Sequence, residues 1–232
     1  MNSHHLAIIK SVITGYDKIA LKFHHTRLSF FRDLRFVKNY VSKDSSVLDF
    51  GCGNGRLAEF LEGEYKEYLG LDVSKNLIKI AKEKHQNEKT KFQKIRPFEK
   101  LSPFYESFDI AFSIAVFHHF PENRYRMERA REILRTLRPG GLIIVSVWNL
   151  WQRKYYKEIL KEIFKKIAGS SNLGWGDLTV SFKENSFVFK RYHHAYTKRS
   201  LERLFIKAGF KTVKTINTGR NLVYIGQKTI QN

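Results

Sequence analysis

The chain is predicted to be an α/β protein built on a mostly parallel, doubly wound sheet, and three observations carry that expectation. Short apolar runs alternate with segments of helical period along most of the sequence. The run 108–114, Phe-Asp-Ile-Ala-Phe-Ser-Ile, is almost unbroken, as suits a strand covered on both faces. Residues 47–55, Val-Leu-Asp-Phe-Gly-Cys-Gly-Asn-Gly, pass from an apolar run through Asp49 into glycines at 51, 53 and 55. Glycines so spaced let a strand turn into a helix and let a ligand lie against bare backbone. The next apolar run, 68–71, ends at Asp72, about twenty residues on, where a βαβ unit places the acid that holds a ribose.

Taken in order, 4–25 and 28–41 read as helical, with Phe30, Phe31, Leu34 and Val37 at three- and four-residue steps. Strand 46–50 leads to helix 56–61, and strand 68–71 to helix 75–84, for which Ser74 is the expected N-cap. Strand 91–95 precedes an irregular stretch containing Pro97 and Pro103. Strand 108–114 follows, then helix 122–137, stopped by Pro139-Gly140-Gly141, then strand 142–148. Residues 149–192 break the rhythm with a basic amphipathic helix near 151–168 and a Gly/Ser/Asn-rich stretch at 169–175. This segment reads as an insertion within one domain spanning 1–232, not a second domain, and 1–43 as a helical N-terminal extension. Helix 198–207 and strands 210–216 and 221–226, joined at Thr218-Gly219-Arg220, close the sheet as an antiparallel C-terminal hairpin.

With 232 residues and 42% hydrophobic content, the chain can bury a substantial core. No apolar run approaches the ~20 residues of a membrane helix. The first residues lack the basic start and apolar stretch of a signal peptide, so a cytoplasmic location is expected. Cys52 is the single cysteine, so no disulfide within the chain and no multi-thiolate metal site can form. Lys and Arg number 42 against 22 Asp and Glu, a net charge of +20, which favours a polyanionic partner. The charge gathers at Arg124, Arg126, Arg129, Arg131, Arg135 and Arg138, along 153–166, and again between Lys190 and Arg203. Lysine-rich solvation of an ordinary surface is the competing reading.

Asp49-Phe-Gly-Cys-Gly-Asn-Gly55 with Asp72 resembles motif I and the following acidic site of class I S-adenosylmethionine (SAM) methyltransferases. Four further patches extend the likeness: Tyr16-Asp-Lys-Ile-Ala20 with Thr26-Arg27, Ser113-Ile-Ala-Val-Phe-His-His119, Arg138-Pro-Gly-Gly141, and Arg191-Tyr-His-His-Ala-Tyr-Thr197. Together they resemble the tRNA wobble-uridine carboxymethyl methyltransferases, which convert 5-carboxymethyluridine to its methyl ester. The resemblance implies a Rossmann-like class I methyltransferase fold, SAM as cofactor, and tRNA as partner. It also implies a small zinc-binding activator protein, on which eukaryotic relatives depend, and it makes 149–192 a basic substrate-recognition segment. The chain departs from the family pattern in three places: no Pro-Trp follows Asp177-Leu178, Leu222 stands where a tryptophan is usual, and Glu99 lies where many relatives have the adenine-reading Asp.

By this resemblance, Gly51, Gly53, Asn54 and Gly55 face the cofactor's amino-acid portion, Asp72 accepts from the ribose hydroxyls, and Val73 and Ala115 form walls. Asp49 supports the turn or orders water. Arg27 clamps either the cofactor's carboxylate or the substrate's. A carboxylate acceptor is ionised at neutral pH and requires no general base, so a planar guanidinium suits it, and Arg191 is the candidate. Surface ion pairing is the competing role for Arg191. His118 is placed at the substrate mouth, and His119 is left to packing. Tyr192 and His194 are candidates to stack on or hydrogen-bond the splayed base. No metal site is expected, since adjacent rings at 118 and 119 are badly spaced for one ion and no third ligand is evident. Cys52 reads as a small buried filler. Two other functions remain open: a class I methyltransferase for a small-molecule acceptor, and a basic RNA-binding protein on the same scaffold.

Overall fold

A computed structural model describes residues 3–184 and 187–230. Helices α1 (Ser3–Lys18) and α2 (Ala20–His25) precede a 3-10 stretch, Arg32–Tyr40. Then come β1 (Ser46–Phe50), α3 (Arg56–Phe60), β2 (Glu67–Asp72), α4 (Lys75–His85), β3 (Thr90–Lys94), β4 (Phe108–Ile114), α5 (Asn123–Thr136) and β5 (Leu137–Trp148). The chain continues through α6 (Tyr156–Ile167), β6 (Asp177–Glu184), β7 (Phe187–His194), α7 (Lys198–Ala208), β8 (Phe210–Asn217) and β9 (Asn221–Lys228).

Seven strands form one sheet in the order β3-β2-β1-β4-β5-β9-β8. The first five run parallel, and β9 is antiparallel to both β5 and β8. Strand order reverses between β1 and β4, so a crevice opens beyond their carboxyl ends, the usual ligand position in such a sheet. The pleat divides the core in two. Leu48, Ala111, Ile143 and Val145 face one buried cluster with α5 and α7 residues, while Val47, Ile110, Phe112 and Ile144 face another with α3 and α4 residues. The expected mostly parallel, doubly wound sheet with its antiparallel C-terminal hairpin is therefore observed.

Three expectations about elements are corrected. Residues 28–41 do not make an α-helix: the 3-10 stretch uses Leu34 and Val37 as anchors in the core, with Phe30 stacked on Phe60 at 4.7 Å. Packing of those anchors overrides the helical period. Strand β5 already begins at Leu137, and Arg138-Pro139-Gly140-Gly141 runs within it beside an irregularity in the β4–β5 register. The 149–192 segment contains a two-stranded antiparallel sheet, β6–β7, alongside its helix. Alternation in Leu178, Val180 and Phe182, followed by Phe189, Arg191 and His193, was the available signal.

The N-terminal segment is tied to the far edge of the sheet. Asp33 Oδ2 accepts from Thr218 Oγ1 at 2.5 Å and from Asn221 Nδ2 at 2.9 Å, and Asn221 is buried. Asp33→Ala strands that amide, so its urea midpoint should fall by the equivalent of about 1–3 kcal/mol with an unchanged m-value.

Candidate active site

The carboxyl ends of β1, β2, β4 and β5, roofed by α1, α2 and β7, enclose a cavity of about 150 Å³. Its floor is the glycine turn. Gly51 has φ +84°, and a Cβ there would lie 2.2 Å from Val116 Cγ2, so only glycine fits. Gly53 donates its N–H to Asp72 Oδ2 at 2.9 Å, and Ser74 N–H donates to Asp72 Oδ1 at 2.8 Å. Asp72 thus joins the end of β2 to the turn after β1. Burial raises its pKa, against the pull of those backbone donors. At the end of β4, Ala115 takes φ +61°, a strained conformation for a residue with a Cβ, in the wall of the cavity.

Arg27, Asp49, Gly51, Gly53, Asn54, Asp72, Val73 and Ala115 all line this cavity, with His118 and Arg191. Gly55 does not. Its φ is +82°, and a Cβ would meet His85 at 2.7 Å and Phe92 at 3.1 Å, so it lets α4 and β3 pack against the turn. Glu99 is also absent from the lining, its carboxylate accepting instead from the Arg96 backbone N–H at 2.9 Å. Asp49 Oδ2 accepts from Tyr68 hydroxyl at 2.5 Å while Oδ1 is buried without a partner. Desolvation pushes Asp49 up to about 7, so it carries a proton over much of the acid range.

At the other end stands Arg191, 7% exposed, its guanidinium 5.2 Å from the Trp148 ring and 5.4 Å from that of Phe182. Arginine stacks between aromatic rings at little cost in hydration, but a buried guanidinium calls for an anion. None of the ion pairs among the described residues involves Arg191, and its Nε is buried without a partner. Surface ion pairing is therefore not its role. Tyr16 packs beside it and donates to His119 Nε2 at 2.9 Å, and His119 Nδ1 donates to the Tyr192 carbonyl at 2.9 Å. Burial drives His119 down to about 4 and His118 well below the ordinary imidazole range. Both rings are neutral at physiological pH.

Tyr192 and His194 are corrected. Side chains alternate along β7, so Arg191 lines the cavity and His193, on the same face, packs behind it against His118 and Trp148, while their neighbours face away. Tyr192 hydroxyl accepts from Arg126 at 3.1 Å, and His194 Nδ1 donates to Asp177 at 2.6 Å, in a buried network that holds the β6–β7 hairpin against α5. The same strand supplies the missing third ring: nitrogen donors of His118, His119 and His193 lie within 4.8 Å of one another. A third histidine does join the pair, yet the guanidinium of Arg191 disfavours positive charge on all three rings and so opposes a cation among them. Tyr16, Trp148 and Arg56, none of them an expected site residue, also line the cavity, the Arg56 guanidinium 4.0 Å from the Phe31 ring. Arg56, one residue beyond the glycine turn, was legible by its position; Trp148 and His193 depended on tertiary pairing.

A family model described as a methyltransferase domain matches residues 23–215. The chain belongs to this methyltransferase family. The tRNA (carboxymethyluridine(34)-5-O)-methyltransferase of Schizosaccharomyces pombe is 28% identical over 84% of this chain and 86% of its own length. The Arabidopsis thaliana protein of the same name is 32% identical over 60% of this chain, which spans 33% of it. Among solved structures, a SAM-dependent methyltransferase of Methanosarcina mazei superposes with TM-score 0.69 at 20% identity, covering 88% of this chain and 100% of that one. A chain from the Haloferax volcanii complex between the Trm112 methyltransferase activator and a methyltransferase gives TM-score 0.70 at 15% identity, with 95% and 99% covered.

The methyltransferase uses SAM, and the cavity fits it. A bare-backbone turn where a Cβ would collide, the orphaned Asp49 and Asn54 carboxyl and amide oxygens, and half-buried Asp72 offer acceptors for an amino group and hydroxyls. When bound, SAM supplies a methyl group on a sulfonium; the chain's task is to hold cofactor and acceptor in line and exclude water. Arg27 and Arg56 are the cations at the cofactor end available to its carboxylate.

Two measurements follow from the acids. Asp72→Ala should weaken SAM binding at least ~10-fold by calorimetry, the loss of hydrogen bonds to a charged acceptor. Asp49, raised above its unfolded value, stabilises the free protein below the unfolded pKa, and that contribution is lost as pH rises through about 7. Asp49→Asn should therefore gain stability over the parent between pH 4.5 and 7.5, by up to about 4 kcal/mol in urea titrations.

Proposed function

We propose that this methyltransferase transfers the methyl group to the carboxylate of 5-carboxymethyluridine at the tRNA wobble position, giving the methyl ester. Arg191 carries this reading. A buried guanidinium stacked between Trp148 and Phe182, with no carboxylate partner among the described residues, is built for a planar anion brought from outside. The carboxylate is ionised without help, and Arg191 would hold one of its oxygens in line with the cofactor, which would supply its methyl group and depart as S-adenosylhomocysteine. No proton has to be removed, which agrees with neutral rings at His118 and His119.

Names of the fission-yeast and plant relatives support the same acceptor. The tRNA reading is supported by part of the basic charge only. Of the arginines at 124–138, Arg126 and Arg129 are buried against Tyr192, Asp177 and the Glu99 carbonyl, and Arg124, Arg135 and Arg138 pair with Glu128, Glu132 and Asp109. Exposed Arg153 and Lys154 just before α6, with Lys157 and Lys161 on it, are the better phosphate contacts, Lys165 being paired with Glu162. An activator of the Trm112 kind is part of the proposal, by likeness to the Haloferax volcanii complex. A cytoplasmic site of action goes with tRNA as substrate; no helix among the described residues is long and apolar enough to cross a membrane.

The test is methyl transfer from labelled SAM to tRNA bearing 5-carboxymethyluridine, with and without a Trm112-type protein, read by nucleoside mass spectrometry. The methyl ester should appear. Arg191→Ala should lose it at least ~100-fold while SAM affinity stays within about twofold. Protein that binds SAM yet leaves this tRNA unmethylated with the activator present would overturn the assignment in favour of a small acceptor.

A further inference from the structure

Three buried polar atoms gather around Trp148 without partners: Arg191 Nε, His118 Nε2 and His193 Nε2. The His193 and His118 ring centroids lie 5.1 and 5.5 Å from the Trp148 ring. The carboxylate reading accounts for the first of these atoms and leaves the two imidazoles unexplained. Buried groups of this kind are ordinarily satisfied, so each asks for a ligand.

Their hydrogen bonds fix what each ring offers. His193 Nδ1 donates to the Arg191 carbonyl at 3.1 Å, which leaves Nε2 as a bare acceptor. His118 Nδ1 accepts from the Trp148 N–H at 3.3 Å, which puts the hydrogen on Nε2 and makes it a donor. The two rings stack at 4.9 Å with planes 14° apart, so neither in-plane nitrogen can serve the other. Burial and the nearby guanidinium keep both rings neutral. One donor and one acceptor, side by side and of fixed sense, stand next to the arginine.

We propose that His118 and His193 read the base of the acceptor, the donor of His118 meeting O4 and the acceptor of His193 meeting N3–H of a uracil. This deepens the carboxymethyluridine reading and rests on it. On a 5-substituted uracil the substituent, O4 and N3–H are consecutive groups along one edge, matched by Arg191, His118 and His193. A cytosine presents an amino donor and a bare N3 at those positions and meets like with like at both rings. In this structure His118 lines the cavity while His193 is packed behind it in the stack, so the proposal includes a turn of the His193 ring into the cavity when the base binds.

The experiment compares anticodon stem-loop RNAs carrying 5-carboxymethyluridine or 5-carboxymethylcytidine at one position. Wild-type protein should prefer the uridine by at least ~100-fold in kcat/KM. His118→Leu and His193→Leu should each cut that preference roughly tenfold or more, mainly through the uridine RNA, with SAM affinity unchanged as the check on folding. His118→Gln, which restores an N–H near Nε2, should recover most of it. A purely structural role would move SAM affinity and the unfolding midpoint without moving the ratio. Nitrogen-15 NMR of the side chains should find the hydrogen on Nε2 of His118 and on Nδ1 of His193. The opposite tautomer at either ring, or Leu variants that keep the wild-type ratio, overturns base reading while ester formation still stands. Wild type inert on both RNAs overturns the carboxymethyluridine reading, and base reading falls with it.

Discussion

Asp72 is the point on which the site hangs. Its two oxygens take the N–H groups of Gly53 and Ser74, so the turn after β1 and the entry to α4 cannot move independently. Ser74 passes the constraint on. Its Oγ caps α4 by accepting from Leu77 N–H and donates to Asp17 Oδ1 at 2.5 Å. Asp17 also accepts from Asn76 N–H at 3.1 Å, which seats the end of α1 on the start of α4. Tyr16, one residue earlier, is thereby delivered to the other wall of the cavity, against His119 and Arg191. One chain of short contacts therefore fixes the cofactor floor and the acceptor roof together. The N-terminal extension is a structural member of the site, closed by Phe189, which occupies the space a side chain at Gly15 would need.

The same logic explains where charge is tolerated. Asp177 and Arg126 are buried beside half-buried His194, and each has a partner, so their desolvation is offset within the hairpin anchor. Arg191 has only the neutral Tyr16 hydroxyl beside it and no carboxylate among the described residues. A charge left unmatched in a folded core is costly, and it persists where the matching group arrives with a ligand. The aromatic faces of Trp148 and Phe182 reduce the cost meanwhile, because a guanidinium is weakly hydrated and stacks well.

Legibility in the sequence followed the range of the interactions. The glycine turn, Asp72, the Ser74 cap and the alternating βα units depend on neighbours in the chain, and all could be read there. Gly55 was placed on the correct turn but on the wrong side of it, since its role depends on His85 and Phe92 from α4 and β3. The β7 residues show the sharpest failure. Arg191, Tyr192 and His194 were assigned to one site, yet a strand sends successive side chains to opposite faces, so Arg191 and His193 belong together. Recognising β7 as a strand would have corrected this, and its alternation was there to be seen. Trp148 could not be placed, because its position beside Arg191 arises from β5 meeting a hairpin more than thirty residues later.

Charge at the two ends of the cavity differs in a way that bears on chemistry. The cofactor end holds Asp49 and Asp72 with Arg27 and Arg56, a mixture suited to a zwitterionic amino-acid group and hydroxyls. Burial lowers Arg56 to about 10, still cationic at neutral pH. At the acceptor end the three histidine rings are neutral, and among the described lining residues there Arg191 supplies the fixed charge. A general base would need a group poised near neutrality with access to an acceptor proton. Asp49, pushed to about 7, sits instead under the cofactor turn with its oxygen held by Tyr68. An acceptor that must lose a proton would find no base beside Arg191. An acceptor already anionic finds the cation it needs, and the neutral rings around it neither protonate it nor compete for it.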